Sequence, residues 1–246
     1  MSPRRSVLES LVLAALLVPP TAGCRAGGGT KEAAAAASSE ASVRPGVNDP
    51  YFADSDPAKW AQRFEVEGRE IYDLRDTIVA NAGVKKGMAV ADVGAGTGLF
   101  TQPFAAAVGP EGKVYAVDIQ ESFLKHIRER AAKAGLANVE TVLCTEKSVA
   151  LPPASADLAF VCDTYHHFEY PMSTLASIHA ALRPGGELVV IDFERIEGKS
   201  RPWILEHVRA GKAVVSGEIA KAGFVLVEEK AFLAENYFLR FRRIDP

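Results

Sequence analysis

The sequence predicts an α/β fold, with a mostly parallel sheet of seven strands covered by helices on both faces and an antiparallel strand at the end. Three observations predict it. Short apolar runs of strand length alternate with longer segments of helical period, the signature of successive strand–helix units and a parallel sheet. The last two apolar runs, 224–232 and 237–243, are joined only by a short turn around Ala234, Glu235 and Asn236, too short for a crossover, so they pair antiparallel. A glycine-rich loop, Gly94, Gly96 and Gly98, directly follows the first strand-like run.

The elements follow in order. Residues 59–82 carry Trp60, Phe64, Ile71, Leu74, Ile78 and Val79 on one helical face, and Gly83 stops them. Residues 88–93 are a buried strand, and 99–108 return to helix until Gly109 and Pro110. Residues 113–118 (KVYAVD) form the second strand, and 121–134 a helix closed by Gly135. Strands follow at 139–144 and 157–162, then a helix over 171–182 with Pro171 in its first turn. The turn Arg183-Pro184-Gly185-Gly186 leads into a fifth strand at 187–192, and 202–222 is helical.

A formal net charge of −3 gives no electrostatic reason to expect nucleic acid. Arg240, Arg242 and Arg243 read as the solvated face of the last strand. Of the three cysteines, Cys144 and Cys162 sit in apolar runs as buried thiols, and no spacing suggests a zinc or disulfide framework.

The front of the chain reads as a domain-external segment. Residues 1–24 have two arginines, an apolar run too short to span a membrane, and small residues before Cys24, which is the layout of a secretory signal. Thr21-Ala22-Gly23-Cys24 resembles a bacterial lipobox, which implies export and lipid anchoring at Cys24. An ordinary signal, or a misplaced start and a cytoplasmic protein, is the alternative. Residues 25–50 are rich in Gly, Ala and Ser and predict a flexible tether, with the folded domain starting near Tyr51.

The glycine loop defines a ligand by what it lacks. No Lys and Ser or Thr follow Gly98, so it is no P-loop, and its third glycine comes one residue early for a pyrophosphate loop. Asp92, two residues before Gly94, would repel a phosphate but suits a cation. Asp118, ending the second strand, is placed to grip two ribose hydroxyls. A ribose beside a positive group, without phosphate, describes S-adenosylmethionine (SAM).

On these residues the chain resembles the class I SAM-dependent methyltransferases of the small-molecule type, over about 64–243. The resemblance rests on DVGAGTG, VYAVD, DLAFVCD, LRPGG and LVVID in the right order. It implies a Rossmann-like three-layer fold and SAM as cofactor. It also implies that Gly94, Ala95, Gly96 and Gly98 let backbone approach the methionine half, that Asp92 holds its amino group, and that Asp118 and Ile119 hold the ribose and adenine. In the loop after the third strand, Thr145 and Glu146 are implied as adenine contacts, with Glu146 the candidate acid. Asp163 is implied where cofactor and acceptor meet. Tyr72 and Arg69 are candidates to close over the methionine carboxylate, against the alternative of a solvated helix face.

Methyl transfer from a sulfonium needs alignment and exclusion of water, and a base only where the acceptor must lose a proton. His166 or His167, after the fourth strand, could take that proton, or serve as packing; His207 is a second candidate. Adjacent histidines rarely point at one ion, so no metal is expected. The absence of a large insertion leaves the N-terminal helix and residues 194–208 as the cap, which suits a small acceptor. The reading is an active methyltransferase; the alternative is an envelope-anchored module that binds SAM or another nucleoside without catalysis.

Overall fold

The structure is a computed structural model that describes residues 40–245. The signal-like segment, the lipobox-like end at Cys24 and the tether as far as residue 39 lie outside these residues.

One seven-stranded sheet organises the domain. Its strands are β1 (Ala89–Val93), β2 (Lys113–Asp118), β3 (Val139–Leu143), β4 (Ala156–Cys162), β5 (Leu182–Phe193), β6 (Phe224–Lys230) and β7 (Asn236–Arg243). They lie in the order β3-β2-β1-β4-β5-β7-β6. β1 to β5 pair in parallel, and β7 inserts antiparallel between β5 and β6, as the short turn before Asn236 requires. The strand order reverses beside β1, between β2 and β4. In open α/β sheets that reversal is where a crevice opens at the carboxyl ends of the strands.

Side chains alternate across the sheet and helices cover both faces, which is why the central strands are mostly apolar. On β4, Leu158 and Phe160 face one layer with Phe100 and Phe104, while Ala159 and Val161 face the other with Leu175 and Ile178. The first layer holds α4 (Arg75–Asn81) and α5 (Thr101–Val108); the second holds α7 (Pro171–Ala181) and α9 (Lys212–Lys221). α6 (Glu121–Lys133) buries Leu124, Ile127 and Ala131, one stripe at helical spacing, and Gly135 ends it at φ 67°.

The helices differ from expectation in two places. The segment 59–82 is three helices, α2 (Pro57–Phe64), α3 (Glu70–Asp73) and α4: Gly68 at φ 87° parts the first two, and Leu74, outside helical geometry at ψ 12°, parts the last two. A short α1 (Asp49–Ala53) precedes them. The segment 202–222 is likewise two, α8 (Pro202–His207) and α9, parted by an extended stretch that buries Val208. The expected Arg183-Pro184-Gly185-Gly186 turn is a bulge inside β5, where pairing to β4 jumps from Leu182 to Glu187.

Residues 40–50 correct the tether. Glu40 caps α7: its carboxylate accepts from the amides of Met172 at 2.9 Å and Ser173 at 2.7 Å. The helix's own N-cap residue, Tyr170, supplies no side-chain bond. Glu169 accepts from Ser42 Oγ and from the Gly46 amide, and Arg44 donates to the His207 carbonyl. The domain boundary therefore lies earlier than Tyr51. Arg240 is a second correction. It is buried, bonded to Glu187 and Glu228 and to the carbonyls of Asn81 and Ala82, and so ties β7 to the end of α4.

Candidate functional site

A cavity of about 880 Å³ opens at the carboxyl ends of β1, β2 and β4, within the ~300–1,000 Å³ usual for small-molecule sites. Its floor is the loop after β1. The amides of Gly94 and Ala95 both donate to the Val117 carbonyl, at 2.8 and 3.0 Å, which folds the loop against β2. Gly94, Gly96 and Gly98 all take positive φ, which side chains other than hydrogen rarely allow. The reasons for glycine differ beyond that. A Cβ on Gly94 would lie 2.2 Å from Thr164 Cγ2, and one on Gly98 2.9 Å from Ile127, whereas one on Gly96 would meet nothing closer than 3.9 Å. Gly96 thus presents backbone to open space. Gly98 does not line the cavity; it serves the packing of α6 against the loop and not ligand contact.

Asp118 organises the wall above this loop. One of its carboxylate oxygens accepts from the Gly96 amide and the other from the Gln120 amide, both at 2.8 Å. Each oxygen keeps a lone pair for a ligand hydroxyl. Burial pushes the Asp118 carboxyl up to about 6, against the pull of its backbone hydrogen bonds. Asp92, at the end of β1, accepts from Thr101 Oγ1 at 2.7 Å and is raised by burial to about 7. Two buried carboxyls with raised values are what a cation would restore to the ionised form. Thr97, in the same loop, keeps a buried hydroxyl with no partner among the described residues. These groups fit a polar, positively charged ligand bearing vicinal hydroxyls.

The structure brings Asp92, Gly94, Ala95, Gly96, Asp118, Ile119, Thr145, Glu146 and Asp163 to the cavity wall. Glu146 stands exposed at the rim, and its backbone carbonyl accepts from Thr174 Oγ1. Tyr72 does not reach the cavity. Its ring instead carries the Arg75 guanidinium at 4.8 Å, so the role expected for it over a carboxylate falls away.

Asp163 is held more firmly than sequence reasoning suggested. It takes φ 48°, an uncommon conformation for a non-glycine residue, one residue past β4. Arg69 Nη2 and Asn236 Nδ2 each donate to one of its carboxylate oxygens at 2.6 Å. Burial raises its pKa, with the Arg69 charge opposing. Arg69 lines the cavity, but its charge is met by Asp163. Asn236, at the start of β7, was not signalled by any motif.

At the other end stand three histidines. His166 and His167 lie on the 3-10 turn Tyr165–His167 after β4, and His207 ends α8. His166 is buried and doubly fastened to Asp192 of β5, through Nδ1 to Oδ1 at 2.7 Å and through its amide to Oδ2 at 3.0 Å. His167 and His207 are lowered from the ordinary histidine value first by burial, then by the charge of their neighbours. Cys144 and Cys162 also reach the cavity wall, partly exposed, where full burial was expected. Burial pushes both thiols up, Cys144 to about 12, so neither is a ready thiolate.

The sheet order, the glycine loop and the acid at the end of β2 define a domain of the class I methyltransferase fold. Residues 90–186 match the family described as a methyltransferase domain. The chain is 34% identical over 145 residues to a ubiquinone/menaquinone biosynthesis C-methyltransferase of Bordetella parapertussis, covering 57% of this chain and 56% of that one. A protein of the same description from Cupriavidus necator is 31% identical over 146 residues, covering 55% and 59%. The chain thus spans just over half the length of these relatives. A SAM-dependent methyltransferase of Aquifex aeolicus superposes with a TM-score of 0.68 at 28% identity, covering 77% of this chain and 99% of that chain. A [4+2]-cyclase, SpnF, shares the fold at a TM-score of 0.63 and 16% identity, covering 74% and 86%. One fold therefore carries more than one reaction.

Proposed function

We propose that this protein is a SAM-dependent methyltransferase that acts on a small-molecule acceptor. The observation that carries the reading is Asp118 at the end of β2, bonded to the Gly96 amide and facing a large cavity through its remaining lone pairs. Asp118 and Ile119 hold the ribose and adenine half, Asp92 the ammonium of the methionine half, and the open backbone of Gly96 lets the ligand lie close. Bound there, SAM supplies a methyl group on a sulfonium that needs no further activation.

The chain's own residues then have three tasks. Trp60, Phe64, Trp203 and Phe193 line the cavity and shield it from water. Asp163, pinned between Arg69 and Asn236, fixes the wall between donor and acceptor. Where the acceptor must lose a proton, the histidine cluster is the part of the wall able to take it, with Asp192 holding the His166 ring in place.

Calorimetry with SAM, followed by a methyl-release assay over an acceptor panel, tests the reading. Quinone-type acceptors belong in that panel because the curated relatives are C-methyltransferases of quinone biosynthesis. Tight binding without turnover across the panel would favour a binding module instead. The signal-like segment and Cys24 support, as part of the proposal, an exported and lipid-anchored protein. Unchanged lipid labelling of a Cys24→Ala variant would sink that part alone.

A further inference from the structure

Three imidazoles converge at the acceptor end of the cavity. One ring nitrogen from each of His166, His167 and His207 lies within 4.8 Å of the other two, and all three residues line the cavity. The two neighbours in sequence turn the same way because they share a tight 3-10 turn, with ring centroids 4.3 Å apart. His207 arrives from α8 to meet them.

The hydrogen bonding of the cluster is incomplete in a telling way. His167 Nε2 has only long contacts, 3.3 Å to Tyr51 Oη and 3.4 Å to His207 Nε2. Its Nδ1 is buried with no partner among the described residues. The atom facing the other imidazoles is Nε2, so an ion there would take up the weakly held Nε2 and leave Nδ1 as it stands. His166 shows the complementary feature. Its Nδ1 is held by Asp192, which directs Nε2 away from that carboxylate, and Nε2 carries no hydrogen bond among the described residues. A carboxylate behind an imidazole is the usual support of a metal-binding histidine, fixing its tautomer and raising its basicity.

The spacing fits as well. Two nitrogens bound tetrahedrally to zinc at ~2.05 Å stand about 3.3 Å apart. The observed 3.4 Å between His167 Nε2 and His207 Nε2 is close to this. It is too long for a strong hydrogen bond. The other nitrogen pairs lie within 4.8 Å, so ligation requires the rings to draw closer.

We propose that His166, His167 and His207 bind a divalent cation of the zinc class and leave one coordination position open to the cavity. Three histidines with an open fourth position are the arrangement of a catalytic rather than a structural zinc site. An acceptor oxygen or nitrogen bound at that position would lose its proton more readily, so in the metal-bound form the cation replaces a histidine as the means of deprotonation, with His166 as a ligand and Asp192 as its support. Metal binding here does not depend on the methyl-transfer reading, and either can fail while the other stands.

The test is cobalt(II) titration of the chelator-treated full-length protein, followed by zinc competition. One equivalent should give the visible absorption of a low-coordinate nitrogen and oxygen site, with no thiolate charge-transfer band, and zinc should bleach it. His207→Ala should abolish the band. Asp192→Asn should weaken binding by roughly 10–100-fold. His179→Ala, on α7 and bonded to the Ile244 carbonyl, should change nothing. Thermal melts show that each variant is folded. No absorption in the parent, or an unchanged titration in folded His207→Ala, would overturn the proposal. Calorimetry with SAM on the same samples reads the donor site separately.

Discussion

The Gly96 amide donates to Asp118 at 2.8 Å, which fastens the loop after β1 to the end of β2. The same carboxylate accepts from Gln120 through its other oxygen. An amide side chain can accept from only one of these two groups. Asp118→Asn should therefore leave one amide poorly paired, costing about 1–3 kcal/mol. For a domain of this size that lowers the melting temperature by about 2–10 °C. A scanning-calorimetry trace identical to the parent's would show that the pairing carries no stability.

Gly96 and Gly98 separate two effects that a glycine motif blurs. At Gly98 a methyl would lie 2.9 Å from Ile127 at φ 85°, so Gly98→Ala should cost about 1–3 kcal/mol of stability. At Gly96 the methyl has room, and Gly96→Ala should cost less stability but raise the SAM Kd about tenfold or more by occupying ligand space. Equal losses of melting temperature in the two variants would contradict this division.

The two raised carboxyls give pH effects of opposite sign. Asp92 and Asp118 stand near 7 and 6 in the fold against an ordinary 3.8, so the folded protein binds more protons than the unfolded chain between about 4 and 7. Their contribution to stability is therefore greatest below that window and is lost as pH rises through it. SAM binding needs both ionised, so affinity should rise over the same range. His167 and His207, lowered by burial, destabilise the fold below about 6.5, which opposes the acids in the melting curve. Comparison with Asp92→Asn removes their contribution. The parent's melting temperature, relative to that variant's, should be higher at pH 5.5 than at pH 8. A reversed difference would mean that Asp92 is ionised in the free protein.

Glu40 is expected to matter although it lies 133 residues from Ser173 in the chain. Losing an N-cap costs about 1 kcal/mol. Glu40→Ala should lower the melting temperature by about 2–4 °C, and Glu169→Ala, which frees Ser42 and Gly46, by at least as much. Full stability in both would return residues 40–50 to the status of a loose leader.

The sheet was legible because burial on both faces leaves runs such as LAFV, and the glycine loop because its backbone needs conformations that few other residues take. The loop also shows the limit of the motif, since Gly98 looks like Gly96 in sequence but answers to Ile127. Arg240 read as surface because charged residues usually are; its partners Glu187 and Glu228 come from other strands. Asp163 follows β4 and lines the cavity. Its grip by Arg69 and Asn236 depends on contacts 94 and 73 residues distant, beyond any local pattern. His207 could be suspected as part of the cap, but not its meeting with His167.

The most direct test of the account is titration of the full-length protein with SAM, parent against Asp118→Ala. The account predicts one site per chain in the parent. In the folded variant it predicts a loss of about thirtyfold or more, the weight of one or two hydrogen bonds to a charged group. Absence of binding in the parent, or equal affinity in the variant, would contradict it.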